Sequence, residues 1–130
     1  MNYGFHATIK GPFDAAVQRV LETLKAEGFG VLSDIDIQKA MKEKLGKDMA
    51  AHRILGACNP PLAYKALQAE ADLGLLLPCN VTVRQGDGED IIVGFLNPDM
   101  MVQLTANPAL REVAEDASAR LDRVREALQS

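Results

Sequence analysis

The sequence has no tryptophan, two cysteines, two histidines and no long unbroken run of apolar residues. Two thiols plus at most one imidazole at any one place fall short of a zinc site with four protein ligands, unless a second subunit contributes. The absence of about 18 consecutive apolar residues argues against a helix that spans a bilayer. Common catalytic motifs are also missing, namely a glycine-rich loop with lysine, Cys-x-x-Cys, His-Glu-x-x-His and Gly-x-Ser-x-Gly. These absences favour a soluble protein whose active site, if it has one, is not defined by a known motif.

The composition is that of an ordinary globular domain. With 130 residues, of which 48% are hydrophobic and 25% charged, one core can form without disulfides or metals as cross-links. We therefore expect a single domain over residues 1–130. The formal net charge of −4 argues against nucleic acid as a partner. The first residues lack the basic and apolar regions of a secretory signal, so we expect a cytoplasmic protein with free thiols.

Hydrophobic periodicity predicts that strands and helices alternate along most of the chain. Strands are predicted over 3–9, 29–34, 52–57, 79–84 and 91–96. Helices are predicted over 12–26 and 37–45, from Asn59 onward, over 97–104, and from Asn107 to near the end. Residues 73–77 are apolar but show no clear hydrophobic periodicity. Residues 85–90 have the composition of a hairpin turn. This order favours an α+β two-layer sandwich, in which a mostly antiparallel sheet is covered by helices on one face.

The second predicted helix carries the main concentration of basic residues. Lys39, Lys42, Lys44 and Lys47 recur there at helical spacing, with Glu43 and Asp48 among them. Such a mixed run is typical of a solvated helix face, and we prefer that interpretation to a binding site for an anion or nucleic acid.

Two Cys-Asn pairs, Cys58-Asn59 and Cys79-Asn80, each lie where a predicted strand meets a proline-containing turn. The first pair ends the third strand and the second begins the fourth, so antiparallel pairing would bring both thiols to one edge of the sheet. Cys58 would also precede a helix N-terminus, whose positive partial charge and free N–H groups favour a thiolate. Asn59 and Asn80 would add amide donors and acceptors, and His52 would contribute if it lies on the same face.

Three interpretations of these residues stay open. The cysteines can fill space in the core, and Asn59 can serve only as a helix cap. Alternatively, the residues form a pocket for a small ligand or a soft metal. In the third interpretation, Cys58 is the nucleophile of a thiol-dependent enzyme.

Segments along nearly the whole chain carry a resemblance to one protein family. They are Gly11–Phe13, Gly28–Leu32, Ile35–Ile37, Arg53–Pro61, Leu75–Val81 and Asn107–Leu110. Through them the sequence resembles the domain-of-unknown-function 302 family. The resemblance implies a bacterial or archaeal α+β domain with a TATA-binding-protein-like arrangement, usually paired as a homodimer. It also implies Cys58, Asn59, Pro60, Cys79 and Asn80 as motif residues, but no settled activity, since a shared fold does not fix function.

Our leading hypothesis is a non-catalytic, homodimeric module that binds a small ligand or soft metal near Cys58 and Cys79. One alternative is a thiol-dependent redox enzyme. Another is an assembly domain, whose long C-terminal helix would supply an amphipathic contact. The sequence does not identify a cofactor, a metal or a reaction.

Overall fold

A computed structural model describes residues 2–130 and contains one five-stranded sheet. The strands are β1 (Gly4–Lys10), β2 (Gly30–Asp36), β3 (His52–Cys58), β4 (Cys79–Gln85) and β5 (Asp90–Leu96). The helices are α1 (Phe13–Ala26), α2 (Ile37–Leu45), α3 (Pro60–Ala69), α4 (Met100–Thr105) and α5 (Arg111–Gln129), with 3₁₀ segments at Ala71–Leu76 and Pro108–Leu110. The strand order is β1-β5-β4-β3-β2, and every neighbouring pair is antiparallel. The predicted α+β fold is confirmed.

The main core lies between the sheet and the helices α1 and α5. Side chains alternate along each strand, so one face of the sheet supplies most of the strand residues of this core. From the sheet come mainly Ala7, Ile9, Leu55, Ala57, Val81, Val83, Ile91, Val93 and Phe95, and from the helices Val17, Val20, Leu24, Leu121, Val124 and Leu128. The apolar stripe of the last helix is therefore buried within the chain.

A second hydrophobic cluster joins α3, α4, the first half of α5 and the segment Ala71–Leu76. Its buried members are Leu62, Ala66, Leu73, Met101, Leu110, Val113, Ala114 and Ala117. The stretch 73–77, which shows no regular period in the sequence, mostly belongs to the 3₁₀ segment, where Leu73 is buried and Leu75 is exposed. A 3₁₀ turn has three residues per turn, so neither the helical nor the strand period applies to it.

Three helix starts are fixed by Asx side chains that accept a hydrogen bond from the first turn. Asp36 accepts from the Lys39 N–H at 2.9 Å, and Asn59 accepts from the Leu62 N–H at 3.3 Å. Asn107 accepts from the Ala109 N–H at 2.9 Å, although this start is a 3₁₀ segment that leads into α5. The cap at Asp36 and the predicted cap at Asn59 therefore position α2 and α3.

Helix α5 is the longest helix, and arginines on its outer face form hydrogen bonds with Glu27 at the end of α1. Arg120 donates to the Glu27 carbonyl at 3.0 Å and to Asp116 at 2.8 Å, and Arg123 donates to the Glu27 carboxylate at 2.9 Å. With this many charged residues, α5 is a surface helix. Within residues 2–130, none of the helices has the length and apolar character needed to cross a bilayer.

Helix α2 differs from the other long helices because it buries no residue. Its apolar stripe, with Ile37, Met41 and Leu45, stays partly or fully exposed. The adjacent edge strand β2 exposes Leu32 and Ile35. The strand and helix together form a β2–α2 surface, defined here by Leu32, Ile35, Ile37, Met41 and Leu45, whose apolar side chains are not covered within the chain.

Candidate functional site

A cavity of about 350 Å³ opens where β3 ends and β4 begins. These strands are antiparallel neighbours, with Ala57 directly opposite Cys79. The predicted convergence of the two Cys-Asn turns at one edge of the sheet is therefore observed for Cys58, Asn59 and Cys79, which all line the cavity. The remaining wall is apolar and includes Phe29, Leu62, Ala66, Met101, Val113 and Ala117.

The two thiols are free and have different environments. Cys79 is buried, whereas Cys58 is partly exposed. Burial and, to a smaller degree, the charge of a Cys58 thiolate raise the pKa of Cys79 to about 11. Cys79 is therefore protonated at neutral pH. The two cysteines share the cavity without forming a directly opposed pair, because the cross-strand partner of Cys79 is Ala57, one residue before Cys58.

The first turn of α3 offers no free backbone donor from residues 60–63. Pro60 and Pro61 occupy the first two helical positions and have no N–H. The N–H of Leu62 donates to the Asn59 side chain, and the N–H of Ala63 donates to the Asn59 carbonyl at 2.9 Å. The prediction of free N–H groups at this helix start is therefore wrong for these four residues. The two prolines that mark this helix start also remove its first two donors.

Asn59 is the one buried polar side chain within residues 2–130, at 8% exposure. Its Oδ1 caps α3, and its Nδ2 donates to no protein acceptor in the same residues. A Cβ built on Gly28, which has a φ of +85°, would lie 3.0 Å from this Nδ2. Because residue 28 is a glycine, the Asn59 amide can lie close to its backbone, where the side chain of any other residue would crowd Nδ2.

Asn80 and His52 do not line this cavity, contrary to their expected contribution. Asn80 follows Cys79, so strand alternation places it on the opposite face, where it lines a separate hollow with His6 and Thr82. His52 is six residues before Cys58 on β3, which is about 20 Å along an extended strand. There it pairs with Arg84.

The same alternation that groups Cys79 with Val81 and Val83 could have excluded Asn80 from the sequence alone. The counting of residues along β3 could likewise have excluded His52. What the sequence analysis did not find is the apolar wall of the cavity. Its signal is the small size of Ala63, Ala66 and Ala117, which helical periodicity treats like any other apolar residue.

The donor set of the cavity suits an apolar molecule better than a metal ion. No group of three or more His, Cys, Asp or Glu side chains that could hold a metal ion occurs in residues 2–130. A thiol binds metal as the thiolate, and the raised pKa of Cys79 opposes this form. The predominance of hydrocarbon in the wall favours a ligand that is itself largely hydrocarbon.

The one-sided sheet and its terminal apolar cavity place this chain among small α+β proteins with a preformed hollow. The profile of the family described as "Domain of unknown function DUF302" matches residues 5–128. The chain belongs to this family, which confirms the resemblance found in its sequence segments.

A solved relative supports the same assignment. The crystal structure of an uncharacterized conserved DUF302 protein from Bacillus stearothermophilus is similar to this chain, with a TM-score of 0.89 and 31% sequence identity. The similarity covers 98% of this chain and 99% of that chain. The comparison with curated proteins gave no match.

Proposed function

We propose that this protein is a non-catalytic module that binds a small, mostly apolar ligand in the cavity beside Cys58 and Cys79. The observation that carries the proposal is a hollow of about 350 Å³ whose wall is almost entirely apolar. Small-molecule pockets typically measure about 300–1,000 Å³ and combine apolar walls with few polar groups. Because an apolar cavity of about 150 Å³ holds benzene, this one suits a ligand of roughly a dozen non-hydrogen atoms.

Two features favour this function over a metal site or a thiol enzyme. Nucleophilic attack and metal binding both use the thiolate, whereas burial raises the pKa of Cys79 to about 11. Residues 60–63 at the start of α3 have no free N–H group that would stabilise an anion at Cys58. In our proposal both cysteines act as wall residues that contact the ligand through sulfur.

The direct test is binding of 2-ethylnaphthalene to the reduced protein, followed by amide chemical shifts. We expect saturable shifts around the cavity and their loss in Ala66→Leu, because the larger side chain occupies the ligand's space. Ala40→Leu on α2 is the control and should bind as the parent does. Equal binding by Ala66→Leu and the parent would refute this site. Tight binding of zinc alone, lost in Cys58→Ser and Cys79→Ser, would instead favour the soft-metal interpretation.

We also propose that the module works as a homodimer paired through the β2–α2 surface. This surface carries the exposed side chains of Leu32, Ile35 and Leu45 and the half-buried side chains of Ile37 and Met41. A two-fold axis would place these apolar side chains against the same patch of a second copy, because such an interface is self-complementary. The alternative contact through α5 lacks an apolar stripe, since that stripe packs on the sheet.

Sedimentation velocity at several concentrations tests the dimer. Leu45→Lys places a charge in the β2–α2 surface and should shift the equilibrium to monomer. Leu104→Lys is a matched control, because Leu104 is 62% exposed and Leu45 is 65% exposed, but Leu104 lies on α4. A parent protein that stays monomeric at all concentrations would rule out the homodimer.

A further inference from the structure

Asn59 lines the cavity and has a side-chain donor without a protein partner in residues 2–130. The side-chain amide of Asn59 has an acceptor oxygen and a donor nitrogen, and the helix cap determines the position of each. Only an oxygen can accept from the Leu62 N–H, so Oδ1 faces the helix and Nδ2 is the other end. The asparagine is 8% exposed, yet Nδ2 donates to no acceptor within residues 2–130.

The unpartnered Nδ2 is accessible from open space rather than enclosed by protein. In the described part of the chain, no fully buried side-chain nitrogen or oxygen lacks a hydrogen-bond partner. Because Nδ2 lacks a partner, it keeps some accessible surface, and Asn59 lines the cavity. Gly28 allows this position of the amide, since a Cβ there would approach Nδ2 to 3.0 Å, which is closer than an ordinary contact.

The surroundings of Nδ2 indicate a neutral acceptor rather than an anion. Residues 60–63 of α3 supply no further donor, because the first two are prolines and the next two N–H groups are already bonded. A cation on the same side is Arg120, whose Nη1 would lie 3.5 Å from the same Gly28 Cβ position. That guanidinium already donates to Asp116 and to the Glu27 carbonyl. A single amide donor next to an apolar wall fits a carbonyl oxygen.

We propose that the ligand combines an apolar body with a neutral carbonyl group, and that Nδ2 of Asn59 donates to this carbonyl oxygen. This inference rests on the proposed apolar-ligand function and defines its chemical class. The carbonyl end lies near Gly28 and Asn59, while the apolar body extends along Leu62, Ala66 and Met101. Asn59 is then both the cap of α3 and the residue that selects the ligand.

The test compares 2-acetylnaphthalene with 2-ethylnaphthalene, which have nearly the same shape and differ in the carbonyl. We expect the parent to bind the ketone about tenfold more tightly, as one additional hydrogen bond allows. Asn59→Asp keeps an oxygen that caps α3 but has no donor in place of the amide. This variant should bind the two probes within about twofold of each other, as expected when no donor discriminates between them.

A matched control is the same substitution at the other asparagine cap. Asn107→Asp should retain the parent's preference for the ketone, because Nδ2 of Asn107 already donates to the Ala69 carbonyl and the Glu70 carboxylate. The amide shift of Leu62 reports whether the α3 cap is intact in each variant. A ketone preference that persists in Asn59→Asp with an intact cap would overturn the inference.

Failure of this inference is distinguishable from failure of the proposed function. If the parent binds both probes with equal affinity, the cavity binds apolar ligands and only the carbonyl contact is wrong. If the parent binds neither probe, the proposed apolar-ligand function is wrong, and the proposed carbonyl contact is wrong as well.

Discussion

The two hydrophobic clusters of this protein are built from similar residue types but differ in how completely they are filled. Between the sheet and helices α1 and α5, the large side chains Leu55, Val81 and Leu121 are completely buried. Around α3, alanines such as Ala66 and Ala117 face a cavity of about 350 Å³. Both clusters are apolar, so the open volume beside the α3 cluster, not polarity, separates the two. The filled cluster stabilises the fold, and the open one provides volume for a ligand.

Leucine truncations should show the largest contrast between the clusters. Leu121→Ala removes a fully buried side chain from the filled cluster and should lower the free energy of unfolding by about 3–5 kcal/mol. Leu62→Ala enlarges a cavity that already exists, so its side chain loses fewer contacts, and we expect about 2 kcal/mol or less. Urea unfolding measures both. Equal losses would show that the α3 cluster is packed as tightly as the main core.

The second prediction concerns the pH dependence of stability at Cys79. Burial, and secondarily Cys58, raise the pKa of this thiol from 9.0 to about 11. Between these values the native state keeps a proton that the unfolded state has lost, so the free energy of unfolding falls as pH rises. The total loss from this group is roughly 2–3 kcal/mol, and it is complete once pH exceeds the folded pKa.

Tyrosines and lysines titrate in the same range, so the measurement is a difference between two proteins. In Cys79→Ala, the free energy of unfolding should lack this part of the decrease at alkaline pH. The free energies of the two proteins come from urea unfolding at each pH, and their difference isolates the contribution of the Cys79 thiol. Identical pH dependence in parent and variant would mean that the Cys79 thiol ionises as readily in the folded chain as in the unfolded one.

Enlarging an alanine should have opposite consequences in the two clusters. Ala16→Leu on α1 inserts three carbons into the filled cluster and should cost about 1–3 kcal/mol through overpacking. Ala66→Leu on α3 adds the same atoms next to open volume, and its stability should stay within about 1 kcal/mol of the parent. Thermal and urea unfolding provide the measurement. A large loss in Ala66→Leu would mean that α3 cannot accommodate a bigger side chain toward the cavity.

The parts of the structure that were predictable from sequence depend on local patterns. Strand alternation, the Asp36 and Asn59 caps and the glycine at the end of α2 each follow from residues a few positions apart. The meeting of Cys58 and Cys79 required only the assumption that consecutive strands pair antiparallel, which is the actual arrangement of β3 and β4.

The cavity itself could not be predicted in the same way. It depends on how α3 and α5 approach each other, and these helices are separated by about 40 residues of sequence with a 3₁₀ segment, a hairpin and α4 between them. Helical periodicity identifies Ala66 and Ala117 as buried, but it does not reveal that the space between them stays open. The different use of Asn59 and Asn107 likewise depends on contacts between distant segments.

The smallest predicted effect compares these two asparagine caps. Asn107 uses both ends of its amide, because Oδ1 accepts from Ala109 and Nδ2 donates to the Ala69 carbonyl and to Glu70. Asn59 uses only Oδ1, in a longer bond of 3.3 Å. Asn107→Ala should therefore cost about 1–2 kcal/mol and Asn59→Ala only about 0.5–1 kcal/mol. A greater loss at Asn59 in the absence of ligand would indicate that its Nδ2 has a structural role, whereas the expected order leaves this donor available for binding.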